Sequence, residues 1–133
     1  MDSSILLRVV LGEPARLGIW PKITSPVSSE LIRVECLRTI DRARVRLGLS
    51  DKEVSRHRSD VLEALDALAL IVIDRRVLER ASEPFPTVLG SLDAIHLSSA
   101  ILAREEFDHL FLATHDEQLS MAARAVGFEV EGA

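Results

Sequence analysis

The chain has 133 residues, 47% of them hydrophobic and 28% charged, which is the composition of a folded globular protein long enough to close one hydrophobic core. Its formal net charge is −5, which argues against a general nucleic-acid coat protein, since such proteins are basic overall. A single cysteine, Cys36, excludes a disulfide framework within the chain and fits a reducing compartment.

Of the 16 basic residues only Lys22 and Lys52 are lysine. The arginines cluster at positions 38, 42, 44 and 46 and again at 56 and 58, and the planar arginine fork is suited to phosphate. Asp2 stands where an export signal carries basic residues, and Arg8 interrupts the apolar run that follows. The longest later apolar run, Ala67 to Ile73, is too short to span a bilayer. The expectation is one soluble, cytoplasmic domain over residues 1–133, with no membrane association.

Taken in chain order, Ser3 is placed to cap a first helix from about Ser4 to Leu11, stopped by Gly12 and Pro14. A short strand is expected near Pro21–Ser25. Ser28-Ser29-Glu30 reads as a helix start with a hydroxyl cap and an early acid, and the helical pattern runs on to Leu47 before Gly48. Ser50-Asp51-Lys52-Glu53 has the form of a capping box opening a second long helix to about Leu68. The β-branched run at 68–73 predicts a strand buried on both faces. A short helix over Arg76–Ala81 and a loop through Pro84 and Pro86 follow. Ser91 opens an almost wholly apolar helix to about Ala103, and residues 109–114 form another buried strand. Asp116 or Thr114 starts a last helix with Leu119, Ala122, Ala123 and Val126 on one face, and 128–130 is a short final strand. Apolar strands alternating with helices predict an α/β fold with a mainly parallel sheet, whose sites form where strand C-termini meet the next helices.

Four acids occupy such places. Asp2 precedes the first helix and Asp116 follows a buried strand. Asp93 lies in the first turn of a helix with scarcely another polar group; at about 100° per residue it shares its face with Leu97 and Ala100. Glu35 borders the apolar stripe Ile32, Cys36, Ile40, Ala43 and Leu47, on an arc shared with Arg38, Thr39, Arg42 and Arg46. Each acid alone has a simpler role: Asp116 as a helix cap, Asp93 as a charge favoured near a helix N-terminus, Asp2 as terminal solvation, Glu35 as the partner of Arg38 or Arg42. Jointly, four carboxylates at one sheet edge call for a cation, and an oxygen-only set suits Mg²⁺ or Mn²⁺. No His/Cys set at zinc spacing and no Gly-rich phosphate loop competes.

The stretches MDSSILLRVVLGEP, VSSELIRVECLR, LGSLDAIHLSSA and LATHDEQLSMAARAVG resemble the four sequence blocks of the PIN-domain ribonucleases, specifically the VapC toxins of toxin–antitoxin pairs. The resemblance covers nearly the whole chain in the right order. It implies a three-layer α/β/α fold around a parallel sheet, an acidic quartet at Asp2, Glu35, Asp93 and Asp116 that holds one or two Mg²⁺ or Mn²⁺ ions, and accessory hydroxyls at Ser4 and Thr114. It further implies an RNA substrate, a small VapB-like antitoxin and a homodimer. Hydrolysis would proceed by in-line attack of a water on the phosphodiester, with no serine or cysteine nucleophile. With one Trp, four Phe and no Tyr, base stacking contributes little and arginine–phosphate contacts hold the RNA.

Other readings stay open. One is a PIN-fold protein that binds RNA or an antitoxin without cleaving. Another is a small-molecule phosphohydrolase, although the D-x-D nucleophile of the haloacid-dehalogenase-like class is broken by Ser4. His96, one turn after Asp93, reads as a helix-packing residue within reach of substrate phosphate, and Cys36 as inert core. The row Arg38, Arg42, Arg46 is either a solvated face or a surface for substrate or antitoxin; Trp20 is assigned nothing. In relatives the first aspartate ends a short apolar strand. Only Met1 precedes Asp2 here, so the expectation is either a true start upstream or a loosened first carboxylate.

Overall fold

The computed structural model describes residues 1–10 and 25–132, with side chains throughout except at positions 8–10. Helix α1 covers Ser3–Val10. Its cap is Asp2, not Ser3: the Asp2 carboxylate accepts from the Ser4 backbone N–H at 3.0 Å, leaving Ser3 as the first helical residue. The first described strand, β1, is Val27–Ser29. It therefore takes the two serines read as a helix start, while residues 21–24 of the strand expected just before it lie outside the described residues. Ser29 still serves the helix that follows, since its hydroxyl accepts from Leu31 N–H at 3.1 Å.

Helix α2, Leu31–Leu47, ends at Gly48, whose φ of 63° is a left-handed conformation that glycine adopts without strain. Ser50 and Glu53 form the reciprocal capping box that opens α3, Asp51–Asp66. Strand β2 is Ala69–Ile71. It is an exposed strand and not the doubly buried one expected, with Val72 just beyond it 59% exposed. Among the described residues β2 pairs with β1 alone, in parallel, and its exposure shows that the apolar run is not covered on both faces. Helix α4 is Arg75–Ala81, capped by Asp74. Helix α5 is Ser91–Ala103, with Gly90 in the cap position and Ser91 already helical. Strand β3, Leu112–Ala113, is shorter than the run 109–114 that predicted it, and pairs in parallel with β4, Val130–Glu131. Between them lies α6, Glu117–Ala125, capped by Asp116.

The helices form two packs with the parallel strands between them, a three-layer α/β/α arrangement. One pack joins Leu6 of α1, Ile32, Cys36 and Ile40 of α2, and Val54, Val61 and Leu65 of α3. The stripe on α2 frays where predicted core gives way to solvent: Leu47 is 73% exposed. Cys36 has no exposed surface, and burial, with help from the charges of Glu35 and Asp2, pushes its thiol up to about 12; an inert core thiol is the consequence. The other pack joins Leu97 of α5, Leu112 of β3, Leu119, Ala122 and Ala123 of α6, and Phe128.

The two strand pairs meet through two residues. The Met1 ammonium donates to the Val27 carbonyl at 3.0 Å and the Ser28 hydroxyl donates to the Met1 carbonyl at 2.6 Å, while Asp2 N–H donates to the Ala113 carbonyl at 3.2 Å. Met1–Asp2 thus occupies the position of a central strand, between β1 and β3. Behind it, in the N-terminal direction, a cavity of about 290 Å³ is lined by residues that include Val27, Ala103, Phe107, Phe111 and Leu112. Burial pushes the Met1 ammonium below its ordinary pKa, against the pull of the Asp2 carboxylate.

The slot generates a prediction. Joining three or four apolar, β-branched residues to the nitrogen of Met1 replaces a buried ammonium with a neutral amide that still donates to Val27, and it places apolar side chains in the cavity. The melting temperature should rise by roughly 2–4 °C for each kcal/mol gained. A Gly-Ser extension of equal length should give much less, and equal melting curves for the two extended forms would show that the slot does not select a strand.

Candidate functional site

The carboxyl end of β3 and the start of α1 meet at Asp2. Its carboxylate is 7% exposed and fully engaged. Oδ1 accepts from the Ser4 N–H and hydroxyl, the latter at 2.5 Å, and Oδ2 accepts from the Thr114 hydroxyl at 2.5 Å. Both hydroxyls also face the β3–α6 turn: Thr114 Oγ1 accepts from Asp116 N–H at 3.0 Å and Ser4 Oγ accepts from His115 N–H at 3.1 Å. These bonds tie the first helix to the residues after β3, 110 or so positions away in sequence. Charge-assisted bonds of this kind are among the stronger ones. The first carboxylate is thus held firmly and not loosened.

Asp116 spends Oδ1 on capping α6, accepting from Leu119 N–H at 2.9 Å, and its side chain is otherwise open to solvent. Asp93 projects from the first turn of α5 and is half-buried. Its carboxyl is pushed above the usual range, first by burial and then by the negative charges of Asp116 and Asp2, with His96 pulling the other way and Glu35 adding to the push. Glu35 reaches from α2 toward α5, where its Oε1 meets His96 Nε2.

All six residues predicted for the site therefore stand around one region. Asp2, Ser4, Thr114 and Asp116 are linked by hydrogen bonds, while Asp93 and Glu35 enter the region through their fields and through His96. The acids do not converge into a closed cage: among the described residues, no group of three or more His, Cys, Asp or Glu side chains is placed to hold a metal ion. The donor chemistry nonetheless fits a hard cation. An all-oxygen set in which Asp116 is exposed and Asp93 and Glu35 are partly exposed suits Mg²⁺, which keeps several waters and takes only one or two carboxylates.

Two residues gain roles that the sequence did not disclose. His96, read as packing, is 6% exposed and faces Glu35; its signal was the i, i+3 spacing from Asp93. His115 Nδ1 donates to the Gly132 carbonyl at 2.7 Å, fastening the C-terminal end beside the site, and no sequence pattern marks it.

The raised Asp93 pKa fixes the sign of a stability effect. The folded state holds that proton more tightly than the unfolded state, so its contribution is present at low pH and is lost as pH rises through the carboxyl range. In metal-free protein at neutral pH, Asp93→Asn should therefore raise the melting temperature, on the order of a few degrees. The gain should shrink as pH falls toward and below the carboxyl pKa. Melting curves from acid to neutral pH check this, and a gain independent of pH would contradict it.

Comparison with known proteins bears on this geometry. A family model described as the PIN domain matches residues 1–125. The chain is 33% identical over 133 residues to Ribonuclease VapC46 of Mycobacterium tuberculosis (strain ATCC 25618 / H37Rv), covering 98% of this chain and 93% of that protein. It is 31% identical over 136 residues to Ribonuclease VapC47 of Mycobacterium tuberculosis (strain CDC 1551 / Oshkosh), covering 96% and 91%. With the parallel strands, the flanking helices and the acids at the strand ends, these matches make the chain a member of the PIN-domain family.

Proposed function

We propose that this chain is an endoribonuclease that hydrolyses RNA phosphodiester bonds with a divalent cation, Mg²⁺ or Mn²⁺, and serves as the toxin of a toxin–antitoxin pair. The observation that carries the reading is the anchored turn at the carboxyl end of β3, where Thr114 holds the Asp2 carboxylate and the Asp116 backbone together, with Asp93 of α5 close enough to feel both charges. Similarity to two VapC ribonucleases along nearly the whole chain supports the substrate class.

Asp2, Glu35, Asp93 and Asp116 would hold the cation, which supplies a polarised phosphate and a bound water of lowered pKa. The chain's own groups do the rest. Ser4 and Thr114 keep Asp2 from rotating. Asp116, fixed through Oδ1 as a helix cap, has one oxygen left for the site. The Ser4 hydroxyl donates to Asp2 and accepts from His115, tying the first helix to the β3–α6 turn. In this reading the attacking group is water. Arg42 and Arg46 are exposed on α2 below Glu35 and have no carboxylate partner among the described residues, unlike Arg38, which pairs with Asp41 at 2.9 Å. In this reading they are open to RNA phosphates, which the carboxylates themselves repel, at points roughly 10 and 16 Å along α2 from Glu35.

An antitoxin offering a basic side chain would find its counter-charge in the same acids. A second copy of the chain has apolar surface available in Val45, Leu47 and Val88, each more than half exposed. Among the described residues, no helix is long and apolar enough to cross a membrane.

Purified protein should cleave RNA with Mg²⁺ or Mn²⁺ and stop on addition of EDTA. Asp93→Asn should lose at least about 100-fold in rate while remaining folded, since even residues supporting a metal ligand are worth 10–100-fold. Gel analysis of a defined RNA measures both. Cleavage that persists in EDTA would sink the metal mechanism. RNA binding without cleavage by the wild-type chain would favour the reading in which this protein binds and does not cut.

A further inference from the structure

Glu35 differs from Asp2 and Asp116 in how it is held. Asp2 and Asp116 are fixed by hydroxyls or backbone N–H groups close to them in the strand-end turns. Glu35 stands on another helix, α2, and its longer side chain has more torsions to fix. It is also only partly sheltered, with a side chain 20% exposed. Its one described side-chain partner is His96 Nε2, on a ring with a side-chain exposure of 5% that is fixed in α5 one turn after Asp93.

We infer that His96 is a positioning residue for Glu35, a clamp from α5 that sets the fourth carboxylate against Asp93 before the cation arrives. This rests on the metal-dependent reading above. The argument does not need a charged imidazole, because Nε2–H donates to Oε1 in the neutral ring and in the imidazolium alike. With Oε1 engaged, Oε2 has no hydrogen-bond partner among the described residues and is the atom left for the site. His96 and Asp93 share one helix, so the clamp also fixes the spacing between two acids carried on different helices. A site of this kind tolerates misplacement of only about half an ångström. Outer groups that hydrogen-bond a metal-binding carboxylate are worth 10–100-fold in metal affinity or activity. A role confined to packing would ask only for a side chain that fills the same space.

Three forms of the full chain test this: wild type, His96→Leu, which keeps the apolar volume, and His96→Gln, which keeps an N–H donor at nearly the same reach. Mn²⁺ affinity, read from the free-ion resonance signal, should fall 10–100-fold in the Leu form and return to within about threefold of wild type in the Gln form. RNA cleavage should follow with kcat lowered and KM for RNA within about twofold. In metal-free wild type, ¹⁵N spectra should show the His96 ring carrying its proton on Nε2. Wild-type Mn²⁺ affinity in the Leu form, a Gln form no better than the Leu form, or a ring protonated only on Nδ1 would each overturn the inference. Should the Leu form fail to fold, the Gln form and the ring spectrum decide alone. A wild type that binds Mn²⁺ through the clamp but leaves RNA intact would refute the functional reading and spare the clamp.

Discussion

The structure depends on the hydrogen bonds made by Met1 and Asp2. Two strand pairs, β1–β2 and β3–β4, have their own ladders, and these two residues join them. Met1 donates to Val27 on one side and Asp2 to Ala113 on the other. Asp2 then turns its carboxylate onto Ser4 and Thr114, so the group that closes the sheet is also the group that starts the site. Buried polar groups in a low-dielectric setting are costly unless satisfied, and here every oxygen of the carboxylate is. A carboxylate at position 2 therefore has a structural reason to be where it is.

From that fixed point the charges follow. Asp116 belongs to the turn that Thr114 anchors, and Asp93 enters from α5 into the field of both. Repulsion among these groups works against folding and favours a cation, the usual compromise between stability and function at a site of like charges. His96 supplies the partial relief: it is the one group that pulls the Asp93 pKa down, and it takes one oxygen of Glu35.

Much of this was legible in the sequence because local chemistry dictated it. The Ser50/Glu53 box, the Gly48 stop and the Asp116 cap appear as read. What failed was whatever depended on neighbours far along the chain. The run 68–73 has the composition of a strand buried on both faces, but only tertiary packing could reveal that β2 is exposed. Ser28 and Ser29 suit a helix cap equally well, and only their pairing with Leu70 and Ile71 far along the chain makes them strand. The family pattern picked out the six candidate residues, and the structure brings them to one region. Their metal-binding role was read from that pattern and from oxygen-donor chemistry, since no closed cage stands among the described residues. The His96–Glu35 contact spans 61 positions and was hidden behind an ordinary helix-packing histidine.

The central claim is that the acids at the sheet's carboxyl end form an open cation site organised by Asp2. Water-proton relaxation in Mn²⁺ solutions tests it most directly, because a bound ion that keeps exchanging waters relaxes them far more strongly than the free ion. Asp2→Asn is the informative comparison: it retains the helix cap and the backbone bond to Ala113 but removes the charge and the oxygen that accepts from Thr114. The account predicts a strong enhancement with wild type that Asp2→Asn largely abolishes at temperatures below its own, lowered, melting transition. Equal enhancement in the two proteins, or none in either at millimolar Mn²⁺, would contradict it.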